Sequence, residues 1–174
     1  MINVIPNIPA VGDQESQANR MYNKIYILLD DHVDYSKLPE IDTEARTCAA
    51  FTLKEGGTWA ELCAVKNTAG RTTEGSQGDI TTAVQNGVTL TVGGTRPEIE
   101  NLLENFVGRN VHVVTIDKFT QKKRLLTRPY SPMQLSSFSG RENSDNTSTD
   151  LTFSNQSFFQ PLEYLGNVTE AAEE

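Results

Sequence analysis

Two cysteines, two histidines and a single tryptophan in 174 residues leave little material for several kinds of chemistry. Cys48 and Cys63 form no Cys-x-x-Cys pair and have no histidine nearby, so their spacing builds neither a zinc site nor a redox dithiol. Both are expected as buried, reduced thiols. Long apolar runs are missing as well, and the opening MINVIPNIPAVGDQESQ has neither the basic start nor the sustained apolar stretch of a secretory signal. The expectation is a protein that neither spans a membrane nor is conventionally secreted, so the N-x-Ser/Thr triplets at Asn146, Asn155 and Asn167 carry no meaning. Basic residues are the minority, 15 against 23 acidic, for a net charge of −8. Gripping nucleic acid requires clustered Lys and Arg to neutralise phosphates, so that task is disfavoured. Gly70, Gly75 and Gly78 precede no Gly-Lys-Ser/Thr and read as turn glycines rather than a phosphate loop. His112 stands among valines with no nucleophile placed beside it, which suits a structural histidine better than a general base. No catalytic residue, cofactor or metal is expected, and the protein is read as a non-enzyme.

What is present is a strand–helix–strand unit from Val88 to Asp117. Thr95 and Glu98 have capping-box spacing, Pro97 suits a first helical turn, and Ile99, Leu102, Leu103 and Phe106 recur on one stripe before Gly108 stops the helix. The spacing predicts a helix over 95–107, with Leu102 and Leu103 buried on β-sheet. Val88, Leu90 and Val92 before it, and Val111, Val113, Val114 and Ile116 after it, read as the flanking strands.

The remainder reads as short strands and polar connections within one domain. Residues 1–21 lack periodicity and are expected as an extended arm. Asn23–Leu29 alternates as a first strand, and Pro39 sits in the polar connection that follows. Thr47–Leu53 and Thr58–Val65, separated by a turn with Gly56-Gly57, predict a hairpin. Residues 66–86 are rich in Gly, Thr, Ser and Gln; they predict either a long loop or a projecting hairpin without core residues, in both cases with an external task. Lys122–Thr127 is expected to pair with Val111–Asp117. Met133, Leu135 and Phe138 give weak strand character, Gly140–Asp150 reads as a polar loop, and Thr149, Leu151 and Phe153 share one face of a last strand region that takes in Phe158 and Phe159. The domain is drawn at 22–166, with an acidic, frayed tail at 167–174.

Three groups of side chains invite a functional reading. Asp30, Asp31, His32 and Asp34 form a cluster in which Asp30, His32 and Asp34 would share a side if the segment were extended, although the calcium-loop spacing and its glycine are absent. A solvated turn is the plainer reading. Lys122, Lys123, Arg124 and Arg128 make the one basic run, expected on an outer face or in subunit contacts. Trp59 and Tyr164 suit either a core or an interface.

The closing segments carry a resemblance. Val111–Asp117, then KKRLL, RPYSPMQL and SFSGRENSDNTSTDLTFSNQSFFQPLEYLGN, resemble the way major tail tube proteins of bacteriophages and inner-tube proteins of contractile injection systems end, particularly those from Bacteroides-like phages. The likeness runs from about Lys24 to Gly166 as a pattern of segments, and the NTAGRTTEGSQGD insertion departs from it. The resemblance implies a mainly β fold with one flanking α-helix, a β-sandwich or small barrel of the tail tube type. It also implies self-assembly into hexameric rings that stack into a tube, with other tail proteins as partners and DNA only passing through the lumen. The corresponding location is the virion, after assembly in the bacterial host cytoplasm. A net negative subunit suits such a conduit. Two other readings remain open: another virion component such as a tail terminator, head–tail connector or decoration protein, or a small ligand- or metal-binding β protein built on Asp30–Asp34.

Overall fold

The computed structural model describes residues 21–79, 82–93, 97–142, 147–157 and 159–168. In chain order it contains β1 (Met21–Leu29), a 3-10 turn (Asp30–His32), β2 (Ile41–Asp42), β3 (Thr47–Cys48), β4 (Ala60–Cys63), β5 (Gly70–Gln77), β6 (Thr82–Gly93), α1 (Pro97–Phe106), β7 (Asn110–Asp117), β8 (Lys123–Leu125), β9 (Met133–Glu142), β10 (Thr147–Ser157) and β11 (Leu162–Tyr164). The fold is mainly β with a single helix among the described residues, and the strands form one open mixed sheet.

That sheet divides at β7. One edge of β7 pairs antiparallel with β1, from Leu29 opposite Val111 to Ile25 opposite Thr115, and β1 carries β4 on its other side. The second edge is shared, with Asn110 and Val111 bonded to β9 and Val114 to Ile116 bonded to β8. Two wings therefore leave β7. One runs β9-β10-β6-β5, the other β8-β11-β3-β2. Within the second, β11 runs parallel to β3.

Alternation along β1 and β7 gives each strand two buried faces and the molecule two cores. Ile25, Ile27, Val111 and Val113 face Val88, Leu90, Leu151 and Phe153 of the first wing. The opposite faces present Tyr26, Leu28 and Val114 to Leu125, Leu162 and Tyr164 of the second. A backbone hydrogen bond from Val65 N–H to the Thr91 carbonyl, 2.7 Å, ties the chain just after β4 to β6 and helps the first wing wrap its core. In the second core Gly166 lies against Tyr164, and a Cβ there would stand 2.6 Å from the Tyr164 ring. The Tyr164 hydroxyl accepts the Phe51 N–H at 3.0 Å.

The helix closes the first core. Phe106 is 6% exposed, while Ile99, Leu102 and Leu103 are half-buried against the same cluster. Leu102 and Leu103 are thus less enclosed than their stripe predicts, because a single helix at the margin of a sheet presents only part of its apolar arc to it. Gly108, at φ +72, reverses the chain as the stop signal requires. Thr95 lies outside the described residues. No helix among the described residues is long and apolar enough to cross a membrane.

Several expectations are corrected. Thr47–Leu53 and Thr58–Val65 do not form a hairpin: β3 pairs with β2 and β11, and β4 pairs with β1. The Gly56-Gly57 turn exists, with Gly57 N–H bonded to the Lys54 carbonyl at 2.9 Å, but the chain before it joins the second wing through β3 and the chain after it joins β1 through β4. Of the two alternatives for residues 66–86 the described part is the hairpin, with Gly70–Gln77 paired to Thr82–Thr89. Its base is not free of core residues, since Ala69 is 3% and Asn86 1% exposed. The polar stretch Gly140–Asp150 is mostly strand, with β9 and β10 paired out to Glu142 opposite Thr147. Phe159 is exposed rather than buried, and so is Cys63. Met21 begins β1, leaving the rest of the expected arm, like Phe158 and residues 169–174 of the tail, outside the described residues. Val168, at the root of that tail, is buried rather than frayed.

Candidate functional site

The acidic cluster after β1 is dispersed by the 3-10 turn, which turns Asp30 and His32 apart instead of aligning them. Asp30 Oδ1 points inward and lies 2.8 Å from His112 Nε2, while also accepting the Tyr35 hydroxyl. Asp34 points outward, accepting the Ser36 N–H at 3.0 Å and its hydroxyl at 2.6 Å. Among the described residues no group of three or more His, Cys, Asp or Glu is placed to hold a metal ion.

His112, on β7, is fully buried. Its Nδ1 lies 2.8 Å from the Thr127 hydroxyl, and its ring stacks 4.8 Å from that of Phe51. Burial pushes the imidazole below its ordinary pKa, and the Asp30 carboxylate opposes this only in part. A neutral ring donating Nε2–H to Asp30 and accepting the Thr127 hydroxyl at Nδ1 satisfies every partner. The contact with Asp30 is therefore a hydrogen bond rather than an ion pair. The Asp–His–Thr order imitates a nucleophilic triad, yet Thr127 is only 1% exposed and no substrate reaches its hydroxyl. The network joins the turn after β1, β7 and the chain after β8.

The basic run does not act as a unit. Lys122 pairs with Glu163 at 3.1 Å, Lys123 donates to the Gly166 carbonyl, and Arg128 lies 4.1 Å over the Phe159 ring. Arg124 lines a cavity away from the other three. Trp59 is half-buried and Tyr164 buried, with ring centroids 5.7 Å apart, so both serve the core.

The least satisfied feature is the outer wing. Among the described residues, β5 pairs with β6 alone, and no described strand lies along its other side. Every residue of β5 after Gly70 is exposed. At the opposite side of the same wing, β9 bonds β7 only through Met133 and Gln134, so its edge from Leu135 to Glu142 has no described partner. Phe138, at 53% exposure, lies along that edge. Sequence reading gave Met133, Leu135 and Phe138 only weak strand character and missed the continuation to Glu142, because SGRE has no apolar alternation; its order comes from the ten-residue β10–β6 ladder behind it.

Register places Ser137, Ser139, Asp150, Thr152, Ser154, Thr89, Thr91, Thr72 and Glu74 together on the side of this wing away from the core. The face is rich in hydroxyls and has two carboxylates. Arg141, opposite Ser148, shares it and lies 3.9 Å from Asp150. No protein-family model matches the chain, and no curated protein sequence matches it.

Proposed function

We propose that the protein is a structural subunit that assembles into closed rings, the open β5 edge of one copy pairing with the open β9 edge of the next. The rings stack into a tube of the phage tail type, in a virion assembled in the host cytoplasm beside other tail proteins. The observation that carries this reading is that the two outer strands of one four-stranded wing, β5 and β9, have edges along which no described strand pairs. Unpaired edges invite strand addition, and two different edges that join head to tail make a heterologous contact, which gives a ring when the rotation closes. The resemblance of the closing segments to tail tube proteins supports the hexameric, tube-forming version. The hydroxyl-rich face of the wing, with its carboxylates and its arginine beside Asp150, suits a lumen past which DNA slides without being held.

Negative-stain electron microscopy of the concentrated protein tests the proposal and is expected to show rings and tubes with a regular axial repeat. Rings that never stack favour a terminator or connector. A protein that stays monomeric at high concentration ends the assembly reading. Thr72→Lys combined with Ser139→Lys places like charges along both edges and is expected to abolish rings while leaving the fold intact; rings that persist would put the junction elsewhere.

A further inference from the structure

Between the wings lies an open cavity of about 570 Å3 whose wall carries Arg46, Arg71 and Arg124. The three arginines come from distant parts of the chain, and the strand register explains why they meet. Thr115 of β7, Arg124 of β8 and Glu163 of β11 stand opposite one another on one face. Arg71 reaches across from β5, its Nη1 3.4 Å from the Thr115 hydroxyl. Arg46 joins from the turn before β3, where its backbone sits at φ +60, a left-handed conformation that strains a residue with a side chain. It is held there by two contacts. Its carbonyl accepts the Glu163 N–H at 2.9 Å, and its guanidinium donates to the Pro161 carbonyl at 3.1 Å. The carboxylate on the wall, Glu163, is already engaged by Lys122 at 3.1 Å. Strained and pinned backbone thus holds the Arg46 guanidinium on this wall, in a chain whose net charge is −8.

We infer that this cavity binds a phosphate-class oxyanion carrying two or more negative charges, clasped by the guanidinium groups of Arg46, Arg71 and Arg124. A guanidinium offers parallel N–H donors that match two oxygens of one phosphoryl group, and several cations around one cavity balance a multiply charged anion better than a single carboxylate. The apolar part of the lining is Ala45 and Pro161, with no aromatic ring, so recognition works through charge and not through stacking on a base. The site goes beyond the assembly reading and does not depend on it.

Titration calorimetry of the whole protein with inorganic phosphate and with pyrophosphate, at constant ionic strength set by chloride, tests the inference. Pyrophosphate is expected to bind more tightly than phosphate. Arg46→Gln with Arg124→Gln should weaken it at least tenfold while the circular dichroism spectrum is unchanged. Glu163→Gln removes the competing carboxylate and should tighten binding severalfold, a gain that misfolding cannot imitate. Heat no different from that of added chloride, or equal affinity in the double arginine variant, would overturn the site. A short DNA duplex forms the second arm. If it displaces pyrophosphate with an affinity that falls as salt rises, the phosphate comes from nucleic acid; if it does not, the ligand is a free phosphoryl compound. Displacement would support the site and at the same time contradict a lumen that leaves DNA unbound, so the two proposals fail separately.

Discussion

At the residue scale, His112 links burial to pH. Its imidazole is held below the ordinary value of 6.5, so the unfolded chain takes up a proton at a pH where the folded one does not. Its contribution is therefore complete above pH 6.5 and falls as pH drops below it. Asp34, bonded to Ser36, and Glu61, bonded to Lys24, are also held low, but their stabilisation is lost only below the ordinary carboxylate range, about pH 4. Urea midpoints should decline between pH 7.5 and 5.5 in the native protein and decline less in His112→Gln; parallel curves would remove His112 as the cause. The two thiols should separate as cleanly. Partial burial and Glu61 also hold the Cys63 thiol above its ordinary value, so exposure decides between them: Cys48, buried and pushed up to about 11, should be inert in the fold, whereas exposed Cys63 should react slowly with a thiol reagent, giving one equivalent before unfolding and two after. Gly166→Ala drives a methyl group into the Tyr164 ring and should cost roughly 1–3 kcal/mol in denaturant unfolding.

At the element scale, the helix and the projecting hairpin answer to different energies. Phe106 is the residue of α1 most enclosed by the first core, so Phe106→Ala should cost about 3–5 kcal/mol, and Leu102→Ala, half-buried, clearly less. Equal losses at both positions would mean that the helix sits deeper than its burial shows. For the β5–β6 hairpin the cut matters. Removing all of 66–86 takes out Ala69 and Asn86, both buried, and should unfold the first wing. Replacing only Glu74–Gln85 with Asn-Gly keeps Thr73 opposite Asn86 and closes them with a favoured two-residue turn. That variant is expected to keep its far-ultraviolet spectrum and to lose ring formation in sedimentation. A spectrum lost with it would make the ribbon part of the core.

At the scale of the whole molecule, charge sets the expected relation to DNA. In the proposed ring, a net charge of −8 per subunit would repel phosphates over about one Debye length, ~8 Å at physiological salt. Assembled protein should show no salt-sensitive binding to linear duplex, and a steep decline of affinity with salt, worth several phosphates per subunit, would replace the passive conduit with a gripping surface. Of the basic residues that such a surface would need, Lys122 and Lys123 are tied to Glu163 and the Gly166 carbonyl, and Arg128 lies over Phe159.

The local signals in the chain were strong enough to determine some of this alone. The stripe from Ile99 to Phe106 and the stop at Gly108 specified α1; the alternation of Ile25 and Ile27 against Tyr26 and Leu28 specified β1. Periodicity is a property of neighbours along the chain, so it survives without tertiary knowledge. Only the tertiary structure decided which strands meet. A Gly-Gly turn between two apolar runs reads as a hairpin, yet β3 and β4 part because β1 takes β4 and β11 takes β3. The same long-range pairing brings Asp30 to His112, gathers Arg46, Arg71 and Arg124 around one cavity, and makes β5 and β9 the outer strands of one wing among the described residues. Such contacts join residues far apart in sequence, and no local spacing encodes them, because their energy exists only once the two cores have formed.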